Sequence, residues 1–302
     1  MRRAIEPTVV LVTAVLLAGC GSETSGTIAS TTTTTPGAGT TTTDLDLDAS
    51  FPDGNDDGSV PCAPQDFPLS ETQDLLIVPI DARFMQVKAW GAGGNGEGQC
   101  TPPQDDAGLG GFSGAVFKVG LEPDKAVKPG EPLLVIVGQR GRAGLTTEDV
   151  VRFGFGHWGG GGLSGVFHGP DLITATDQGK ALIIAGGGGG ASAPGCMPAG
   201  TGNHPSAGGM DGTMAGGPGA DDVNGGAGGY VGGLGGAHHQ PGNGGEGFIV
   251  ADGASDRVML FSEPGTAVPP KSDDVDYADG AGGDEMPGRV VIHFTCSEPP
   301  PM

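Results

Sequence analysis

The chain has 302 residues, with 36 acidic side chains against 14 lysines and arginines, and a formal charge of −22. Such a surface repels phosphate backbones and anionic headgroups, which excludes nucleic acid as a partner and disfavours electrostatic docking on a membrane. Glycine supplies 62 residues and aromatics only 5%, so whatever core exists is built around an unusual amount of bare backbone.

The first segment, 1–19, reads as a secretory signal. Arg2 and Arg3 precede an apolar run beginning at Val9, too short to span a bilayer, and Leu17-Ala18-Gly19-Cys20 follows. That ending resembles the lipobox of bacterial lipoproteins, which implies that Cys20 carries the lipid and becomes the new N-terminus. Removing Arg2, Arg3 and Glu6 takes the charge from −22 to −23. The acyl chains are then the expected attachment to the membrane, and the location the cell envelope, at the outer membrane or cell surface.

Residues 20–60 form a flexible stalk in this reading, rich in Ser, Thr, Gly and Asp around TTTTTPGAGTTTT. Within it, Asp53, Asn55, Asp57 and Gly58 match the first half of a calcium loop, in which alternate oxygens wrap a hard cation. The twelfth position is Pro64 in place of the required Glu, and a solvated acidic linker is the stronger reading, with calcium as its alternative. No other cofactor is expected.

Residues 61–302 read as one domain. Short runs rich in branched and aromatic residues, bounded by Gly, Pro and Asp, predict strands at 75–80, 83–90, 112–120, 132–138, 164–168, 181–185 and 289–295. Helical periodicity is nearly absent, so the fold class is all-β, a sandwich. Four cysteines remain after Cys20, namely Cys62, Cys100, Cys196 and Cys296. An even number in an oxidising compartment predicts two disulfides, with three connectivities open.

From Gly186 to Gly247, 26 of 62 residues are glycine, partly in threes such as Gly225-Gly226-Ala227 and Gly228-Gly229-Tyr230. A period of three matches the polyproline II helix, whose backbone groups are free to bond neighbours. Ordering each residue costs on the order of 1–2 kcal/mol, more for glycine. A single hydrogen bond returns about 0.5–1.5 kcal/mol. The segment therefore either stays disordered or forms a dense, cooperative bundle.

Four stretches, FMQVKAWGAGGNG (84–96), LLVIVGQRG (133–141), ALIIAGGGGGAS (181–192) and GRVVIHFT (288–295), carry a family resemblance. Together they resemble the glycine-rich domain of the anaplastic lymphoma kinase and leukocyte tyrosine kinase receptor ectodomains, across roughly residues 70–296. The resemblance implies a tumour necrosis factor-like, jelly-roll β-sandwich with loops emerging as a bundle of polyproline II helices, and it implies no kinase. Within that picture Cys100 and Cys196 each follow a strand end that opens into the glycine region. The expected pairs are accordingly Cys100–Cys196 and Cys62–Cys296.

Motifs for chemistry are weak. Gly91-x-Gly93-x-x-Gly96 lacks the helix that a dinucleotide fingerprint needs, because prolines follow. His204, His238 and His239 lie near Asp211, Asp221 and Asp222, a conceivable transition-metal group, though polar loop residues explain them better. His157 and Trp158 are candidates for a binding surface. The expectation is a lipid-anchored, non-enzymatic surface module binding a protein or glycan. Its alternatives are a self-associating structural component of the envelope and, third, a metal-dependent enzyme.

Overall fold

Short strands rich in apolar side chains ask for two layers packed face to face, and the computed structural model has them. It describes residues 65–67, 73–96, 107–142, 156, 159–191, 197–204, 213–219, 225–278 and 280–302, all within the unit Asn55–Met302. Among the described residues ten strands follow in chain order: β1 (Gln65–Phe67), β2 (Asp74–Ile77), β3 (Phe84–Trp90), β4 (Phe112–Lys118), β5 (Pro132–Ile136), β6 (Ser164–His168), β7 (Ala181–Ala185), β8 (Phe248–Ile249), β9 (Ala254–Leu260) and β10 (Arg289–Thr295). One 3₁₀ turn, Gln178–Lys180, is the helical content among the described residues. No helix there is long and apolar enough to cross a membrane.

The strands form two antiparallel five-stranded sheets, ordered β1-β10-β3-β4-β9 and β2-β5-β6-β7-β8. Successive side chains of a strand face opposite ways. Met85, Val87 and Ala89 of β3, Ala115 and Phe117 of β4 and Val290, Ile292 and Phe294 of β10 thus meet Leu133, Val135, Val166 and Ile183 between the sheets.

Both outer faces are covered in part, with Leu75 and Ile77 of β2 left exposed. Beyond the second sheet, Leu134, Ile136, Phe167 and Ile184 pack under Ile173 and Met214. Beyond the first, Trp90, Phe112 and Val291 pack under Ala281 and Tyr277. Two-sided burial explains why β7 is the unbroken apolar run ALIIA, buried throughout.

Candidate functional surface: a glycine bundle growing from the sandwich

The antiparallel registers place Trp90, Phe112 and Arg289 side by side at one end of the first sheet. Ile136, Gly165, Ile184 and Phe248 stand at the corresponding end of the second. From there the chain runs into glycine, and the strand pairings continue without losing register. Trp90 faces Phe112; further out, Gly91 N–H donates to the Gly111 carbonyl at 2.9 Å and Gly94 to Gly108 at 2.9 Å. The β5–β6 pairing persists as Gly162 to Gln139 and Gly159 to Arg142, and β7–β8 as Gly245 to Gly187 and Gly242 to Gly190. The β6–β7 pairing reappears as Gly161 to Gly188, and β10–β3 as Gly93 to Met286.

What changes is the period. In a ladder, neighbours exchange bonds every second residue; here each neighbour is met every third. The freed amides turn to the opposite layer. Ala92 donates to Gly162, Gly108 to Gly189, Gly111 to Gly186, and Gly288 to Gly138, all between 2.8 and 3.0 Å. In the sandwich proper, side chains hold the layers about 10 Å apart. Where the side chains vanish, the layers hydrogen-bond to each other directly.

Residues 186–191 form the axis of this arrangement. Their amides donate in turn, Gly187 and Gly190 to Gly228 and Gly225, Gly188 and Ala191 to Ala92 and Asn95, and Gly189 to Gly200. Their carbonyls accept from Gly111 and Gly108, from Gly245 and Gly242, and from Gly161. Six segments therefore surround one: 91–95, 108–111, 159–162, 200–203, 225–228 and 242–245. Contact is close enough to forbid side chains. A Cβ on Gly188 would lie 1.7 Å from the Gly108 carbonyl oxygen, and one on Gly186 would lie 2.0 Å from that of Gly245.

Asn203 ties the bundle to both sheets. The register brings Gly186 opposite residue 203, and there the Asn203 side-chain Oδ1 accepts the Gly186 amide at 2.8 Å. Its Nδ2 donates to the Phe112 carbonyl at 2.7 Å, with Ser113 Oγ at 3.1 Å. The backbone of Asn203 has φ +59°, a left-handed conformation that asparagine tolerates better than most residues. Ser113 in turn donates to the Ile184 carbonyl across the layers at 2.8 Å. No motif in the sequence marks Asn203; its signal is an asparagine after Thr-Gly inside a glycine tract.

A second polar cluster lies on the outer face of the first sheet. The segment following β9 crosses that face, and the Trp90 indole donates to the Pro270 carbonyl at 3.1 Å. Lys88 Nζ, on the same face of β3, donates to Asp274 Oδ1 at 2.7 Å and Asp276 Oδ2 at 2.8 Å. His293 Nε2 of β10 meets the same Asp276 oxygen at 3.0 Å, and Arg289 Nε donates to the Asp276 carbonyl. Burial works against the Lys88 ammonium, but its hydrogen bonds to Asp274 and Asp276 prevail and hold its pKa above the ordinary lysine value. Burial likewise opposes the Asp276 carboxylate, and Lys88 and His293 together hold its pKa below the usual carboxylate range. Burial alone raises the Tyr277 hydroxyl.

The residues singled out in the sequence fare differently. Cys20, Cys62, Cys100 and Cys196 lie outside the described residues, as do Asp53, Asn55, Asp57, His157, Trp158, Asp211, Asp221 and Asp222. Cys296, just beyond β10, is half-buried, with its Sγ 3.6 Å from the Asp81 carbonyl oxygen, and it is in no disulfide among the described residues. His204 packs edge-on against Phe261, while His238 and His239 have ring centres 6.3 Å apart. Among the described residues, no three His, Cys, Asp or Glu side chains converge as metal ligands. His168 is instead held by Glu131 at 2.6 Å. Gly91 and Gly93 of the dinucleotide-like motif are spent inside the bundle, where backbone carbonyls would meet a Cβ at 2.1 Å or less, and a Cβ on its third glycine, Gly96, would meet the Asp284 carboxylate at 3.0 Å.

No family model matches the chain, and no curated protein is similar to it in sequence.

Proposed function

We propose that this chain is a lipid-anchored, non-enzymatic module of the bacterial cell surface, which presents its glycine bundle to a protein or glycan partner. Secretion through residues 1–19 and acylation of Cys20 would leave the folded domain at the end of a Thr-rich stalk. The observation that carries the reading is the six-neighbour packing around residues 186–191. Its backbone groups are committed to one another, so the bundle offers a firm surface made of small groups, suited to docking and poor in the convergent side chains that catalysis needs.

The finer architecture belongs to the same proposal. A jelly roll of the tumour necrosis factor-like kind is carried by the family resemblance, and the three-residue alternation of hydrogen-bond partners supports polyproline II helices as the bundle's units. Cys100–Cys196 and Cys62–Cys296 remain the proposed disulfides. Non-reducing peptide mapping tests them, and a Cys62–Cys100 peptide would rule the pairing out.

Self-association through the bundle is the alternative, and sedimentation of the acyl-free chain tests it; at the sheet edge, the bulge at two charged residues of β9 discourages edge-to-edge pairing. Two measurements test the main reading. Growth of the expressing bacterium on an alkyne-tagged fatty acid should label the wild-type chain and leave Cys20→Ala unlabelled; equal labelling of both removes the anchor. The acyl-free chain, displayed on glycan and surface-protein arrays, should give saturable binding that Gly188→Ala abolishes. Binding that survives that substitution would place the contact outside the bundle.

A further inference from the structure

The cluster at Lys88 has the parts of an amide-forming site. We propose that Lys88 and Asp274 become joined by an intramolecular isopeptide bond, Nζ to Cγ, with Asp276 as the proton acceptor.

Three observations carry this. First, the reacting groups are in contact and sheltered: Nζ is 2.7 Å from Asp274 Oδ1, and the two side chains are 9% and 10% exposed. Secondly, the segment bearing Asp274 is pinned independently of the lysine. Pro270 accepts the Trp90 indole N–H on one side. On the other, Arg289 holds the Asp276 carbonyl, and the Tyr277 ring stands edge-on to Trp90 at 5.9 Å. Groups held together in this way react as though at very high concentration. Thirdly, the two carboxylates are differentiated. Asp274 Oδ1 accepts the Asp276 backbone N–H at 2.9 Å, a donor placed to stabilise that oxygen as charge develops. Asp276 Oδ2, at 2.8 Å from Nζ, is backed by His293 and so has a route for the proton it takes.

The balance is simple. Asp276 accepts a proton from the Lys88 ammonium, the amine attacks Asp274 Cγ, and Oδ1 becomes the amide oxygen. The other Asp274 oxygen departs with two of the three ammonium protons as water, and the third stays on the amide nitrogen. No oxidant or cofactor takes part. The step replaces a buried ion pair, which is costly to desolvate, with a neutral amide. Because the two carboxylates favour the ammonium form, the amine is scarce and the bond forms slowly after folding. Once formed, it fastens the segment to β3 permanently, as suits a protein exposed to extracellular proteases.

The test is peptide mapping by mass spectrometry of the purified full-length chain, held for days at neutral pH and then fully reduced. The expected result is a branched peptide joining the Lys88 and Asp274 segments, lighter than their sum by one water, with no tryptic cleavage after Lys88. Asp274→Ala and Lys88→Arg should abolish the branched peptide, and the arginine variant keeps the charge beside both carboxylates, so it controls for folding. Asp276→Asn should slow its appearance more than tenfold. Two linear peptides, with ordinary cleavage after Lys88 in the aged wild-type chain, would overturn the proposal while leaving the surface-module reading untouched.

Discussion

A single methyl group decides whether the bundle closes. Gly188→Ala would place Cβ 1.7 Å from the Gly108 oxygen, and both atoms belong to backbone that is already bonded on other sides, so neither can yield cheaply. We expect a loss of more than about 3 kcal/mol, read from the urea midpoint. Gly179→Ala is the matched control, since nothing lies within 4 Å of its Cβ and its φ is negative-sided; it should be neutral or stabilising by about 0.5 kcal/mol. Asn203→Ala strands the Gly186 amide and the Phe112 carbonyl together. Its expected cost is about 2–4 kcal/mol, and Asn203→Asp should cost at least as much, because a carboxylate cannot donate to Phe112. The importance of the glycines was legible in the sequence from their density and their grouping in threes. Asn203 was not, because its role depends on a register that only the folded bundle defines.

At the level of elements, the strands the sequence made plain are those buried on at least one face. β6, β7 and β10 fall at the expected residues, and β2 to β5 differ by a few positions at their ends. β1, β8 and β9 were missed. β1 and β8 are three and two residues long, too brief for any period to register. β9, with the sequence ASDRVML, is largely exposed and carries no regular alternation. Its irregularity has a structural cause. Val258 pairs with Gly114 and Ser255 with Val116, so Asp256 and Arg257 together face one residue, and Asp256 takes φ +47°. Bulges and charges of this kind blunt an edge strand. Deleting Asp256 would regularise the ladder and flatten an edge that already exposes Met259 and Phe261. The variant should sediment as dimers or larger species at concentrations where the parent chain is monomeric; an unchanged monomer would show that the bulge has no protective role. The coverings of the two outer faces were equally hidden, since Ile173, Met214 and Tyr277 sit in stretches whose composition reads as loop.

For the whole molecule, the decisive fact is that sheet and bundle share their registers. The pairing that aligns β7 with β8 also aligns Gly187 with Gly245 and Gly190 with Gly242, so a slip in either half would misalign the other. Side chains give the sandwich most of its apolar burial, to which the bundle adds small contributions such as Ala92, Leu109 and Ala227; the bundle supplies backbone hydrogen bonds between layers, whereas the sandwich joins them through a side chain, Ser113 to Ile184. The bundle has little apolar burial of its own with which to offset the entropy of its ordering, and it depends on the sandwich that fixes its registers. The two should consequently open together rather than as separate units. Native-state amide exchange tests this directly. The amides of Gly187, Gly188 and Gly189 should exchange with the same free energy, and the same denaturant dependence, as those of Val87 and Ile183 in the core. In Gly188→Ala, core amides distant from the substitution should lose protection by the same amount as the bundle's. Were the glycine amides to exchange many-fold faster than the core in the parent chain, the bundle would be a locally unfolding appendage, and a firm docking surface could no longer be argued from it.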